Sequence, residues 1–116
     1  MDEIPGVEVR SFPYGGNTPR GFDCSGLVQY AHHQAGIPVP RTARGQRRSA
    51  SRVSMARLQP GDLLFFTLAG SKTSHVGVYV GDGDFIHAPS SGKRVSRATL
   101  DNPYWSRSLV GAGHYF

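Results

Sequence analysis

The clearest pattern in this 116-residue chain is an alternation of apolar with polar or small residues over residues 74–80, S-H-V-G-V-Y-V. Side chains alternate between the faces of a strand, so the three valines share one face and His75, Gly77 and Tyr79 share the other. The sequence Gly-Asp-Gly-Asp at 81–84 predicts a tight hairpin turn, after which residues 85–88 return as the partner strand.

A helical repeat begins near Asp23 and ends at Gly36, where Gly-Ile-Pro supplies a stop signal. Apolar residues recur in this segment at spacings of three and four. The predicted inward face consists of Cys24, Leu27 or Val28, Ala31 and Ala35. The polar residues Gln29, His32, His33 and Gln34 are expected mostly off that face, with both histidines facing solvent.

The remaining segments complete an α+β pattern. Residues 1–21 are rich in Pro and Gly and predict an ordered loop without regular elements, whereas the arginine-rich segment 41–57 predicts a short irregular helix weakened by Gly45. About five strands are expected, at 62–68, 74–80, 85–88, 93–98 and 109–116. A loop and helices followed by a meander of strands predict one domain, residues 1–116, with an antiparallel sheet.

Composition narrows the class of protein. The chain has 13 basic and 8 acidic residues, a net charge of +5, which favours polyanionic surroundings. No apolar run approaches the length of a membrane span, and the N-terminus lacks the pattern of a signal peptide, so an export segment has been removed or the protein travels by another route. The segment 41–57 has no interleaved aromatic residue, which argues against binding to single-stranded nucleic acid.

Cys24 is the single cysteine, so no internal disulfide can form and the fold depends on packing. It lies in the first turn of the predicted helix, where the helix dipole and a nearby imidazolium would lower the pKa of a thiol and make it a nucleophile. Asp23 and Ser25 are common residue types at a helix start, so a capping role is enough to explain them. A lone inward cysteine is more often inert, and a catalytic role requires a base.

Two of the five histidines, His75 and His87, lie on the two arms of the predicted hairpin. His32 and His33 are out of reach or point away, and His114 has no motif around it. With a two-residue loop, paired residue numbers sum to 165 and the two histidines face opposite sides. With a three-residue loop or an equivalent bulge, the sum is 164 and they share a face, so a catalytic pair predicts the second register.

Three stretches together resemble a known family: P-Y-G-G-N-T-P-R-G-F-D-C-S-G-L-V at 13–28, Q-P-G-D-L-L-F-F at 59–66, and S-H-V-G-V-Y-V-G-D-G-D-F-I-H-A at 74–88. They span most of the chain, in order, and resemble the NlpC/P60 family of papain-like cysteine peptidases, which cut cell-wall peptides. The resemblance implies a papain-like NlpC/P60 fold, extracytoplasmic action in the periplasm or wall, peptidoglycan stem peptides as partners, a monomer, and no metal or organic cofactor.

The resemblance also implies roles for six residues. Cys24 would be the nucleophile, His75 the general base, and His87 the third member that orients the His75 ring. Tyr14 would lie beside the sulfur and help to bind substrate or stabilise the oxyanion, together with the Cys24 backbone N–H. Asp23 and Ser25 would help to hold the substrate. The reaction would pass through a thioester, with the γ-D-glutamyl to diaminopimelate bond as the typical target.

Several alternatives remain open. The same fold and thiol chemistry suit an N-acetylmuramoyl-L-alanine amidase or an acyltransferase, and a non-catalytic wall-binding domain is a rival of a different class. A zinc site built from Cys24, His75 and His87 is disfavoured because the usual ligand spacings are missing. The basic segment 41–57 is either a solvated face or a surface attracted to the anionic wall or to a wall-targeting domain outside this chain.

Overall fold

The central feature of the fold is a six-stranded antiparallel sheet. The structure is a computed structural model that describes residues 3–4, 7–8, 17–18, 21–68, 72–88 and 95–115. The helices are α1 (Cys24–Gln34), α2 (Ala43–Ser49), a 3₁₀ turn (Met55–Arg57) and α3 (Pro103–Ser108). The strands are β1 (Glu3–Ile4), β2 (Val7–Glu8), β3 (Asn17–Thr18), β4 (Gly21–Phe22), β5 (Ser51–Arg52), β6 (Leu63–Phe66), β7 (His75–Gly81), β8 (Asp84–His87), β9 (Ser96–Thr99) and β10 (Leu109–His114). Helices packed on an antiparallel sheet confirm the predicted α+β class.

The strand order in the main sheet is β5-β10-β6-β7-β8-β9. The prediction of a meander holds from β6 to β9, but β10 returns to the other edge of β6 and carries a sixth strand, β5, beyond it. A Cβ atom added at Gly113 in β10 would lie 2.9 Å from both the Ala50 Cβ and the Ser51 carbonyl oxygen. The sixth strand therefore exists because a glycine lets two backbones approach closely.

The first 21 residues depart from the prediction of a loop without regular elements. Two short antiparallel pairs lie there, β1 with β2 and β3 with β4. Each strand has only two residues, too few for an alternating pattern to predict it from the sequence.

Two buried clusters lie on opposite faces of the sheet, and β6, with the sequence L-L-F-F, is buried on both. One cluster joins α1 to the sheet through Leu27, Val28 and Ala31. The other contains Phe66 and Phe85. Each fully buried large side chain contributes roughly 1.5–3 kcal/mol to folding, so α1 and the start of β7 are held in fixed relation.

The helix α1 begins and ends close to the predicted positions. The Asp23 side chain accepts from the Gly26 N–H at 2.7 Å, and Gly36 adopts a φ of +77° just past the C-terminal end, as a glycine stop signal should. Two predicted orientations are wrong: Ala35 is exposed, and His32 is only 5% exposed. The His32 ring bonds the Val28 carbonyl at 2.9 Å, so the helix itself satisfies this buried polar side chain.

Candidate active site

A β-bulge in the β7–β8 hairpin sets the register that the catalytic interpretation required. The pairs nearest the turn are Gly81 with Asp84 at its mouth, then Tyr79 with Phe85 and Val78 with Ile86, and the register shifts between Tyr79 and Gly81. The turn itself has two residues, Asp82 and Gly83, with φ angles of 57° and 81°. The bulge changes the sum of paired numbers to 164 beyond it, so the predicted equivalent of a three-residue loop is confirmed.

His75 and His87 therefore lie on one face and contact each other. The Nε2 atom of His75 lies 2.8 Å from the Nδ1 atom of His87, the rings are nearly perpendicular, and both side chains are buried. A neutral imidazole has one donor and one acceptor nitrogen, so this bond makes the two tautomers depend on each other. It leaves the Nδ1 atom of His75 as the nitrogen that could exchange a proton with a thiol.

Trp105 covers this pair of histidines. Its ring stacks on His75 with an interplanar angle of 27° and a centroid distance of 5.5 Å, and it meets His87 nearly edge-on at 4.8 Å. The short helix α3 positions it, with Asn102 as the N-cap and Pro103 in the first turn. Trp105 is not among the site residues predicted from the sequence, although Asn followed by Pro is a recognisable helix-start signal.

Gly77 lies between the two histidines on the same face of the hairpin. A Cβ atom added there would lie 2.7 Å from Phe85 Cδ2 and 3.4 Å from His87 Cβ. Gly77 therefore makes room for the side chains of β8, on the face where His75 and His87 lie.

Cys24 approaches the same strand from α1, of which it is the first residue. Its thiol donates to the Ser74 carbonyl oxygen at an S···O distance of 4.0 Å, and only 9% of the residue is exposed. Ser74 directly precedes His75, so the sulfur lies at the backbone of the residue predicted to be its base. Its hydrogen bond goes to that carbonyl rather than to the imidazole ring.

Burial dominates the electrostatics of all three side chains. Loss of solvation raises the pKa of the Cys24 thiol, backbone N–H groups beginning with that of Val76 offset part of this, and the Asp23 charge raises the pKa further. Burial also lowers the pKa of His75 to about 4 and that of His87 to about 3, with the His75 charge as a second cause for His87. The expected lowering of the Cys24 pKa is wrong for this state, because desolvation outweighs the helix start.

Asp23 and Ser25, the chain neighbours of Cys24, form hydrogen bonds with other residues of the protein. Arg41 donates from Nη1 to Asp23 Oδ1 at 3.0 Å and from Nη2 to Oδ2 at 2.7 Å, and the same Nη1 reaches Ser25 Oγ at 3.0 Å. Gln46 of α2 donates to the Ser25 carbonyl at 3.0 Å. A substrate-binding role for Asp23 and Ser25 stays a prediction, since capping and this ion pair already engage them.

The other predicted residues lie outside this group. Tyr14 falls outside the described residues. His33 is exposed, and His114 lies on β10, on the far side of β6 from the histidine pair. In the parts of the chain that the structure describes, no three His, Cys, Asp or Glu side chains are grouped so that they could hold a metal ion. Within the same residues, no helix is both long and apolar enough to cross a membrane.

The NlpC/P60 family model matches residues 9–114. Among curated relatives, murein DD-endopeptidase MepH of Escherichia coli is 44% identical over 108 residues, which cover 89% of this chain and 40% of that protein. The bifunctional muramidase/DL-endopeptidase CwlT of Bacillus subtilis is 40% identical over 116 residues, which cover 97% of this chain and 35% of that protein. The chain thus spans well under half the length of these relatives.

Solved structures agree with this match. An NlpC/P60 family protein from Bacillus cereus superposes with a TM-score of 0.85 at 35% identity, over 90% of this chain and 36% of that one. RipD of Mycobacterium tuberculosis, described as a non-catalytic NlpC/p60 domain protein adapted to peptidoglycan binding, superposes with a TM-score of 0.69 at 26% identity, over 83% of this chain and 68% of that one.

Proposed function

Because this chain belongs to the NlpC/P60 family, which matches its residues 9–114, we propose that it hydrolyses amide bonds in peptidoglycan stem peptides with Cys24 as the nucleophile. The observation that carries the proposal is the bonded pair of His75 and His87, in which His75 directly follows Ser74, whose carbonyl oxygen accepts from the Cys24 thiol. Both curated relatives described above are named as endopeptidases. Since peptidoglycan lies outside the cytoplasm, we propose that the protein acts there.

In the proposed first step, the thiol turns from the Ser74 carbonyl to Nδ1 of His75 and gives up its proton as the sulfur attacks the scissile carbonyl carbon. The backbone N–H of Cys24, at the start of α1, can stabilise the oxyanion that forms, because the first N–H groups of a helix lack partners within it. Collapse of this intermediate breaks the C–N bond, and the proton passes from His75 to the leaving amine, which leaves a thioester.

In the second step, water attacks the thioester with His75 as the base, which releases the new carboxylate and returns the proton to sulfur. The bond between Nδ1 of His87 and Nε2 of His75 holds the His75 ring during both proton transfers, so His87 acts as a positioning residue. The roles of Tyr14, Asp23 and Ser25 in substrate binding remain part of the proposal.

The pKa shifts support a proton that rests on sulfur until substrate arrives. Burial raises the pKa of Cys24 and lowers that of His75 to about 4, so the neutral thiol and neutral imidazole are the favoured pair in the free protein. Trp105, whose ring stacks on His75 with ring centroids 5.5 Å apart, contributes to the burial that keeps this imidazole neutral before attack.

We propose the γ-D-glutamyl to diaminopimelate bond as the target. The names of the two relatives point to different bonds, DD for MepH and DL for CwlT, so relatedness alone does not select one. The experiment is digestion of purified sacculi by the native protein and by Cys24→Ala, with mass spectrometry of the products. Fragments that begin with a free diaminopimelate amine support the proposal, whereas free sugar lactyl groups would indicate an amidase.

A wall-binding role without catalysis is the second candidate, and it is favoured by the Cys24 thiol, which donates to the Ser74 carbonyl oxygen rather than to an imidazole. RipD, which has this fold, is described as a non-catalytic protein adapted to peptidoglycan binding. The same digestion separates the candidates, since a protein that only binds would sediment with sacculi and release no fragments with either the native chain or Cys24→Ala.

A further inference from the structure

A groove of about 630 Å³ beside α2 is lined by a concentration of positive charge. Its five cationic side chains, which define the cationic groove, are Arg44, Arg47, Arg48, Arg52 and Lys72. Among the residues that the structure describes, no Asp or Glu lines it. Five like charges around one groove repel one another, and this repulsion is relieved when an anion enters.

The ion pairs between described residues do not neutralise the groove. They join Arg41 to Asp23 and Arg97 to Asp84, and no described carboxylate pairs with a groove cation. Arg47 donates instead to neutral oxygens, Thr73 Oγ1 at 3.0 Å and the Val110 carbonyl at 3.2 Å. These bonds orient its guanidinium and leave its charge available.

The groove is fixed in position relative to the candidate active site. Gln46 of α2 is fully buried and donates to the Ser25 carbonyl at 3.0 Å and to the Pro40 carbonyl at 2.8 Å, which ties the arginine-bearing helix to the start of α1. Thr73, whose hydroxyl oxygen accepts the hydrogen bond from Arg47, lies two residues before His75. A ligand held in the groove would therefore be held at a set distance from Cys24.

The lining indicates the class of ligand. Of the described residues that line it, the uncharged ones are small or aliphatic and none is aromatic, so these residues offer bases of single-stranded nucleic acid no ring to stack on. Guanidinium groups bind carboxylates through two parallel hydrogen bonds. A stem peptide linked through the γ-carboxyl of D-glutamate keeps a free α-carboxylate, and its diaminopimelate residue carries another, so peptidoglycan presents repeated carboxylates.

We propose that the cationic groove binds carboxylates of stem peptides neighbouring the one that is cut, and so holds the protein on the wall. The choice of ligand rests on the proposed function, but the binding itself does not require turnover. It is therefore measured with Cys24→Ala, by sedimentation with purified sacculi from which phosphate-containing polymers have been stripped.

The test compares two double variants in the Cys24→Ala protein. Arg44→Gln/Arg48→Gln removes groove charge, and Arg57→Gln/Arg107→Gln removes the same charge from exposed positions outside the groove, each lowering the net charge from +5 to +3. We expect roughly tenfold weaker binding for the groove variant only, and loss of binding by the parent protein as salt rises to about 0.3 M. Far-UV circular dichroism establishes that both variants are folded.

Two further arms identify the anion. Amidation of the carboxylates on stripped sacculi should abolish the difference between the two variants. Equal binding by the groove variant and its control would overturn the proposal, as would groove-dependent binding that appears only on walls that retain phosphate polymers. If native protein fails to cut sacculi while groove-dependent binding persists, the proposed hydrolase function fails and the groove proposal stands.

Discussion

His75 and His87 are joined by a 2.8 Å contact between Nε2 and Nδ1, although 12 residues separate them in the chain. The contact depends on the bulge between Tyr79 and Gly81, because a regular two-residue hairpin would put the two rings on opposite faces of the sheet. A backbone irregularity near a turn therefore decides whether the imidazole rings of His75 and His87 can bond to each other.

Replacement of His87 should reduce activity without abolishing the chemistry. We expect His75→Gln to lower kcat by about 10²–10⁴, the usual contribution of a general base, and His87→Gln to lower it less, because His87 acts through the His75 ring. The measurement is initial rate on a soluble stem peptide across pH. A purely structural His87 would change protein stability but leave the shape of the pH profile unaltered.

Trp105→Ala should expose the histidine pair to water and raise the pKa of His75 from about 4 toward its ordinary value of 6.5. Trp105→Phe keeps an aromatic cover and should give a smaller shift. Titration of the imidazole carbon-bound protons by NMR measures both variants. An unchanged titration in Trp105→Ala would mean that the ring does not control the environment of His75.

Gly77→Ala should destabilise the protein and disturb the histidine pair. The added methyl group would lie 2.7 Å from Phe85 Cδ2 and 3.1 Å from the Ile86 carbonyl oxygen, so β8 must shift, at a cost of about 1–3 kcal/mol. Gly111→Ala is the matched control, since its methyl group would meet nothing closer than 3.7 Å. Urea unfolding compares the two, and equal stabilities would contradict the tight packing at Gly77.

Asp23 offers a way to separate helix capping from substrate binding. Asp23→Ala removes the bond to the Gly26 N–H and should cost about 0.5–2 kcal/mol of stability. Asp23→Asn keeps a capping oxygen but loses the charge that pairs with Arg41. If Asp23 also binds substrate through its charge, Asp23→Asn should raise KM at nearly native stability. A normal KM in Asp23→Asn would limit the role of this residue to the helix start.

Stability should fall as pH decreases through the histidine range. The folded-state pKa values of His75 and His87 are depressed to about 4 and about 3, so below their unfolded value of about 6.5 the unfolded chain binds more protons than the folded one. Each histidine should therefore subtract roughly 1 kcal/mol per pH unit between about pH 6.5 and its folded pKa, and buried His32, whose pKa is also lowered, adds to the slope.

Urea unfolding at a series of pH values measures this slope. His87→Gln should flatten it, whereas His33→Gln should leave it unchanged, because His33 is exposed. An equal slope in all three proteins would show that the buried histidines do not account for the acid sensitivity.

Local patterns were enough to predict much of the fold and part of the site. The start of α1 at Cys24 follows from Asp23 and the three-and-four spacing, and the shared face of His75 and His87 follows from strand alternation combined with the register that a catalytic pair needs. These features depend on residues close together in the chain, whose backbone geometry the side chains themselves favour.

What depends on distant partners could be decided only by the tertiary structure. Ser51–Arg52 is a strand because β10 pairs with it, His32 is buried because the chain packs over that side of α1, and Trp105 covers the histidines because α3 folds back onto the sheet. The raised pKa of Cys24 has the same origin. The sequence determines which groups can carry charge, but desolvation depends on everything packed around them, so only the folded chain decides where the proton rests.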